Sequence, residues 1–486
     1  MKIKFKIFTL IFLFIILALF YILGSKSIKN SNLNVFFKIK SFIPNSVKHY
    51  LKNTIFIIPT LEKRINELDK IILFQKKSLH TKEEIIKEIP DKFLEGSYPL
   101  ISFKKKEENK IIKTKYSKYL LTKFDTGYLF NGKAADAAAS AYIEEYNDKI
   151  LIVTGDGIFS YFYKQNLNQN SFDSITIPTN IKEIVKYSSF YDRSRYGIKD
   201  ILIDENKLYV SYSNQLSKDC FNTAILVADI NFEYLKLNKF FNPKKCIKKK
   251  NDYGRFNPHI AGGRIVNFKD NKLLFSTGAF QYSEHAQNKN NLFGKILSIN
   301  KINGDWNIVS MGHRNIQGLK YNYEKDIILS TEHGPIGGDE LNINIHPNIN
   351  DVKNYGWPIS SYGLPYSAGT IEEKEKAPFY KSHKKYGFVE PIKYYVPSIG
   401  ISEIEKIPKK FNKEFDNDFF IASMGTIQEE GDLSIHHIKL DKEFKKILKE
   451  DIIVIGERIR DLKYIESLNK IILFIENSPG IGVLSF

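Results

Sequence analysis

One feature constrains this chain more than any other: a short unit that recurs six times. Each copy opens on a turn containing Asn, Asp, Glu or Lys, runs into β-branched and aromatic residues, and leaves through a small or polar residue. The first three copies are Asn147-Asp-Lys-Ile-Leu-Ile-Val-Thr-Gly, Glu205-Asn-Lys-Leu-Tyr-Val-Ser-Tyr and Asp270-Asn-Lys-Leu-Leu-Phe-Ser-Thr-Gly. The others are Glu324-Lys-Asp-Ile-Ile-Leu-Ser-Thr-Glu, Asn417-Asp-Phe-Phe-Ile-Ala-Ser-Met-Gly and Leu468-Asn-Lys-Ile-Ile-Leu-Phe-Ile-Glu. Aligned on the residue that opens each strand, the spacings are 58, 65, 54, 92 and 52. A unit of that size supplies one small antiparallel sheet, which cannot bury both faces alone, so the units must stack. Six of them predict an all-β fold, a six-bladed β-propeller over residues 116–486. The long fourth interval predicts a surface loop at the pocket rim, from about Ser360 to Tyr386. A large β-sandwich is the competing arrangement, and the regular recurrence argues against it.

The chain before residue 116 reads differently. Lys2, Lys4 and Lys6 precede an uncharged apolar run, Ile7–Leu23, long enough at its lower limit to span a bilayer. Basic residues before it favour a cytoplasmic N-terminus, and Gly24-Ser25-Lys26 offers no small-x-small cleavage site. Residues 1–24 are therefore expected to be an uncleaved signal-anchor, a single transmembrane helix with the rest of the chain outside the cytoplasm. Leu61, Ile65, Leu68, Ile71 and Ile72 recur at near-helical spacing. Residues 25–115 are expected to form a short helical stalk and then a polar linker, Lys104–Lys113. The formal charge of +17 invites a nucleic-acid partner. None is expected, because the basic residues are spread along the chain and no stretch interleaves them with aromatics. The only two cysteines are Cys220 and Cys246. In an exported chain they can close a loop worth roughly 3–4 kcal/mol, or they can be two buried thiols.

The densest chemistry lies in Gly312-His-Arg-Asn-Ile-Gln-Gly-Leu, Glu332-His-Gly-Pro-Ile-Gly-Gly-Asp-Glu and Asn354-Tyr-Gly-Trp-Pro. A guanidinium and an amide at Arg314 and Asn315 suit an anionic, carbonyl-rich ligand. Gly334-Pro335 presents consecutive carbonyls, and Asp339 and Glu340 supply carboxylates. Oxygen donors without sulfur favour calcium. Arg458-Ile-Arg460-Asp461 sends two arginines to one face, where repulsion is relieved if an anion sits between them.

This pattern resembles the glucose/sorbosone dehydrogenase family, calcium- and quinone-dependent sugar oxidoreductases that bind pyrroloquinoline quinone (PQQ) on a six-bladed propeller. The resemblance runs from about 116 to 486 and is densest from 259 to 358. It implies that Gly334 and Pro335 offer carbonyls to the calcium that touches the cofactor. Asp339, Glu340 and Tyr355 would match a second calcium site. Arg314 and Asn315 would contact cofactor and substrate, and Arg458 and Arg460 the carboxylates of PQQ. His259, just before Gly262-Gly263-Arg264, would match the catalytic base, and His313 a structural histidine. The sequence departs from the family at Gly425, where a lysine is usual, and at Ala279, where an aspartate is usual. The implied activity is oxidation of a sugar or small polyol outside the cytoplasm. His259 would remove the hydroxyl proton as a hydride passes to PQQ, with calcium and Arg314 stabilising the quinone oxygen. The electrons would leave to a membrane or periplasmic acceptor. Two other classes fit less of the sequence: a propeller that binds sugar or protein without catalysis, which Gly425 favours, and a calcium-dependent hydrolase such as a lactonase, which would need acidic ligands from several blades.

Overall fold

The computed structural model describes residues 101–486 except 107–108, 127–139, 192–195, 251–255, 336 and 364–381. The expected anchor Ile7–Leu23 and the stalk up to residue 100 lie outside the described residues, as does most of the predicted rim loop. Among the described residues no helix is long and apolar enough to cross a membrane. The chain divides into two units, Met1–Thr81 and Lys82–Phe486, and all described residues belong to the second.

Every one of the six recurrent units is the second strand of an antiparallel sheet. In Lys149–Thr154, Ile327–Glu332 and Asp418–Ser423 nearly every residue is buried, because these strands are covered on both faces by neighbouring sheets. That double cover is why they read as continuous apolar runs rather than alternating ones. The turn before the strand has its own cause. Asn147, Glu205, Asp270, Asp326 and Asn469 all have positive φ, the left-handed conformation that tight hairpins require and that short polar side chains tolerate best.

The first strands of the six sheets are Ala141–Tyr146, Ile198–Asp204, Gly262–Phe268, Ile316–Asn322, Ile401–Ile407 and Ile459–Ile465. Each lies beside the next, and the sixth lies beside the first, so they line the inside of a ring. Six apolar clusters fill the wedges between consecutive sheets among the described residues. The wedge between sixth and first sheets holds Ile143, Ile152, Phe474 and Ile481, so the core has no gap. Full burial of each such side chain contributes about 1.5–3 kcal/mol. This all-β arrangement is consistent with the expected six-bladed β-propeller.

Two segments correct the sequence-based boundaries. The sixth sheet takes its fourth strand from the other end of the chain: Lys118–Thr126 pairs antiparallel with Gly480–Ser485. The expected polar linker is itself part of the sheet. Ile101–Lys105 bridges Lys118–Thr126 and Ser171–Ile177, joining sixth and first sheets, and Lys110–Lys113 pairs with Lys118–Leu121. Ile101, Phe103 and Ile112 are buried there while Ser102, Lys104, Ile111 and Lys113 face outward, so alternation, not composition, was the informative signal. Cys220 and Cys246 are joined as a disulfide.

Candidate active site

The start of each inner strand pairs with the end of the second strand of its sheet: Gly262 with Thr277, Ile316 with Glu332, Ile401 with Ser423 and Ile459 with Ile475. One pole of the ring therefore collects residues that are far apart in sequence. Five inner strands also slip register at this pole, at Ile198/Asp200, Gly262/Ile265, Ile316/Gly318, Ile401/Ile404 and Ile459/Asp461. A β-bulge inserts a residue and re-aims its side chain. The residues so displaced are Lys199, Gly263 with Arg264, Gln317, Ser402 with Glu403, and Arg460.

Arg264 forms the centre of this level. Its Nη1 donates to Asp200 Oδ1 at 3.1 Å and Asp461 Oδ1 at 3.0 Å and lies 2.6 Å from Glu403 Oε2. Its Nε donates to the Gln317 carbonyl at 2.6 Å, its Nη2 to the Arg460 carbonyl at 3.1 Å, and its guanidinium lies 5.2 Å from the Tyr142 ring centroid. From the third sheet it thus touches all five others. Each carboxylate also accepts a backbone N–H, from Ile265, Ile143 and Ile404 respectively. Burial pushes the Asp200 and Glu403 carboxyls up, to about 7 and about 8, against the opposing pull of Arg264. The sequence offered Arg264 only as a landmark after Gly262-Gly263.

Beside this hub, Arg314 is buried and directed by backbone. Its Nη1 donates to the carbonyls of His333 at 3.0 Å and Gly334 at 2.7 Å, and its guanidinium lies 5.5 Å from the Trp357 ring centroid. Glu332, not singled out by sequence, fixes the segment: one oxygen accepts the Arg314 backbone N–H and the other meets His313 Nδ1 at 2.9 Å. His313 is fully buried between Ser310 and Glu332 and stacks on Tyr355, a structural role as expected. Arg314, Trp357, Glu340, Ser360 and His383 line one cavity. Among the described residues the buried Trp357 Nε1–H has no hydrogen-bond acceptor. A guanidinium and an unsatisfied indole donor in one cavity suit a ligand rich in carbonyl or carboxylate oxygen.

Arg458 and Arg460 do lie together, but the anion between them belongs to the protein. Arg458 Nε donates to one oxygen of buried Glu476 at 3.0 Å and Arg460 Nε to the other at 2.5 Å. Arg458 also reaches the Met424 carbonyl. Arg460 Nη1 donates to Gln317 Oε1 at 3.2 Å, and Gln317 Nε2 to Asn315 Oδ1 at 3.1 Å, which ties the arginine pair to the Arg314 segment. Asn315 Oδ1 also accepts the Gly262 N–H at 3.2 Å. His259 sits exposed in the turn before Gly262. That turn is tied to the Arg314 backbone through Phe280, whose N–H donates to the Ile260 carbonyl at 2.7 Å, and Ala279, whose N–H donates to the Arg314 carbonyl at 3.3 Å. At Gly425 there is no room for a side chain: a Cβ would overlap the Asp432 carboxylate.

The second metal set does not come together. Both Asp339 oxygens are engaged, Oδ1 by the Gly334 N–H and Ser398 and Oδ2 by the Ile401 N–H. Glu340 meets His383 Nε2 at 3.0 Å and Asn342 at 3.1 Å, while the Tyr355 hydroxyl donates to the Ile343 carbonyl at 2.8 Å. Burial lowers His383, but the Glu340 carboxylate outweighs it and holds the imidazole above its ordinary pKa. The His383 imidazole thus occupies the place beside Glu340 that the resemblance reserved for a cation. Among the described residues no group of three or more His, Cys, Asp or Glu is placed to hold a metal.

Comparison with known proteins agrees with the architecture. A family model described as Glucose / Sorbosone dehydrogenase matches residues 173–481. An uncharacterised protein of Synechocystis is 32% identical over 228 residues, 42% of this chain and 50% of that protein, so the match spans about half of that relative. The aldose sugar dehydrogenase YliI of Escherichia coli is 25% identical over 287 residues, 55% of this chain and 71% of that one. Among solved structures, the apo-form of soluble aldose sugar dehydrogenase from Escherichia coli superposes with a TM-score of 0.57 at 20% identity, covering 72% of this chain and 96% of that one. A glucose dehydrogenase crystal structure gives 0.56 at 21%, covering 71% and 95%.

Proposed function

Because the chain belongs to the glucose/sorbosone dehydrogenase family, we propose that it oxidises a sugar or related alcohol with PQQ as electron acceptor, on a six-bladed propeller held outside the cytoplasm by Ile7–Leu23. The observation that carries this reading is the pole itself: Arg314, Arg458 and Arg460 are linked through Gln317 and Asn315, and Trp357, whose buried Nε1 has no acceptor among the described residues, lines the Arg314 cavity. PQQ carries three carboxylates and two quinone carbonyls, and this donor set fits them. When bound, the quinone supplies a two-electron acceptor for a hydride from the carbinol carbon. Arg314, oriented by the His333 and Gly334 carbonyls, stabilises negative charge that develops on a carbonyl oxygen. His259, on an exposed turn, takes the substrate hydroxyl proton near neutral pH. For calcium the fit is narrower. The carbonyls of Gly334 and Pro335 are hard donors, that of Gly334 already accepting from Arg314, whereas Asp339, Glu340 and Tyr355 are committed to protein partners.

One observation favours the second reading, a propeller that binds a sugar or a protein without turnover: Arg458 and Arg460 already share Glu476. One experiment separates them. The purified full-length protein is assayed for dye reduction across a panel of aldoses, with PQQ, with calcium, with both and with chelator, while PQQ uptake is followed by equilibrium dialysis. Turnover only with both cofactors supports the dehydrogenase. Sugar binding without PQQ uptake supports the binding propeller and overturns the dehydrogenase.

A further inference from the structure

The hairpin of Lys110–Lys113 and Lys118–Thr126 carries an outer face that has no part in the proposed chemistry. Its strands alternate as half-buried strands do, and Ile112 and Tyr119 point into the core between the fifth and sixth sheets. The outward positions are not the polar set that water favours. Ile111 pairs across the strands with Leu120, and both are exposed, Ile111 by 55%. Lys113 pairs with Lys118 on that same face, and among the described residues neither makes an ion pair. Two like charges directly opposed destabilise a hairpin unless an anion lies across them. At the turn, the exposed Tyr116 ring meets two more lysines, Lys449 Nζ at 3.9 Å and Lys115 Nζ at 5.0 Å from its centroid. Lys449 brings in the outer strand of the fifth sheet, Ile447–Val454, where its neighbour Leu448 is 63% exposed. Phe486, also exposed, follows Ser485, the partner of Leu120. Residues 109–120 hold four lysines and no acid, and residues 445–449 three lysines and no acid. Apolar and basic side chains thus share one outer edge where the fifth and sixth sheets meet.

This mixture selects the occupant. The lysines call for an anionic partner, which disfavours a second copy of a chain with a formal charge of +17. A soluble polyanion has no use for exposed Ile111, Leu120 and Leu448. A bilayer with anionic headgroups takes both sets: aliphatic side chains enter the acyl boundary, tyrosine sits at headgroup level, and lysines reach the phosphates. The apolar run Ile7–Leu23 of the same chain fits the same partner. We infer that this edge of the ring rests on an anionic lipid surface. The inference does not depend on PQQ. Its place in the fold gives it a consequence. Ile475, at the pole that carries the Arg314 cavity, pairs with Gly480, whereas Leu120 pairs with Ser485 at the other end of that strand. The lipid face therefore lies toward the opposite pole, and a ring resting on it keeps the cavity turned away from the bilayer.

The test places a reporter on the turn. Cys220 and Cys246 are joined, so Ser117→Cys gives the full-length protein a single free thiol for an environment-sensitive dye. The labelled protein is reconstituted in bilayers of phosphatidylcholine alone and of equal parts phosphatidylcholine and phosphatidylglycerol. Dye emission is expected to shift to the blue with phosphatidylglycerol, to stay as in water with phosphatidylcholine alone, and to return in high salt. Lys113→Glu, which sets an acid opposite Lys118, and Lys113→Gln with Lys118→Gln should each lose most of the shift. Both should melt at or above the temperature of the unmodified protein, because the opposed like charges are gone. The same dye on Ile302→Cys, at a site 83% exposed on the third sheet across the ring, is expected not to respond. Equal shifts at the two positions, no shift from Ser117→Cys with phosphatidylglycerol, or a shift that survives Lys113→Gln with Lys118→Gln overturns the inference. A shift without lipid, on concentrating the protein or adding heparin, gives the face to a second copy or to a soluble polyanion and overturns it as well.

Discussion

Replacing Arg264 with Met should destabilise the ring, and by an amount that depends on pH. The substitution keeps the stem and removes the guanidinium that faces Asp200, Glu403 and Asp461. Removing one partner from a buried ionic cluster costs about 3–5 kcal/mol, because the remaining charges are left without compensation. With roughly 2.1 cal/mol/K of unfolding entropy per residue over a unit of about 400 residues, 4 kcal/mol corresponds to about 5 °C in melting temperature. The carboxyls set the sign of the pH effect. Their pKa values are raised in the folded ring, Asp200 to about 7 and Glu403 to about 8. Their protons are therefore retained by the folded state in a range where the unfolded chain, with pKa near 4, has released them. Stability from these groups is fully present below about pH 4 and is lost as pH rises through 7 to 8. Without Arg264 only the backbone N–H groups of Ile265 and Ile404 oppose the burial, the folded values rise further, and the window widens. Circular dichroism melts of both proteins at pH 5 and pH 8 should show a small deficit at pH 5 and the full one at pH 8. A deficit equal at both pH values, or none at either, would refute the account of Arg264 as the counter-charge of that cluster.

Further outcomes follow from the geometry and the sequence. Arg458→Ala with Arg460→Ala should abolish PQQ uptake in dialysis, whereas His259→Ala should keep uptake and lose dye reduction. Gly425→Lys should lower the melting temperature, and adding Asp432→Ala should recover part of the loss, because a Cβ at 425 overlaps that carboxylate; no recovery would place the clash elsewhere. Cys246→Ser should cost about 3.5 kcal/mol in denaturant titrations for a loop with a separation of 26 residues, and protease added to spheroplasts should digest the ring if Ile7–Leu23 exports it.

What the sequence made legible follows from how each strand is covered. The second strands are enclosed on both faces, so six apolar runs stand out and their count matches the ring. The inner strands were harder to see, since Lys199-Asp200, Gly263-Arg264 and Arg460-Asp461 interrupt them with charge at the bulges. Sequence grouped Arg314, Asn315, Arg458 and Arg460, which stand at the starts of two inner strands. It could not show that Glu476, at the end of the adjacent strand of the same sheet, completes the arginine pair, or that three acids from three other sheets converge on Arg264. The family resemblance grouped Asp339, Glu340 and Tyr355 as one ligand set. In the fold, Asp339 and Glu340 are successive residues of one strand, and their side chains serve different neighbours.

The pairing of Lys118–Thr126 with Gly480–Ser485 sets a clock on biosynthesis. Leu121 waits for Leu484, made about 360 residues later. At 5–20 residues per second, that is roughly 20–70 s during which the strand has no partner on that edge. Phe124, fully buried in the finished ring, has no cover from Ile481 until then. An unpaired strand with apolar side chains is a template for another chain. The nascent protein is therefore most prone to join its neighbours on a polysome when five sheets have already formed and the sixth has not.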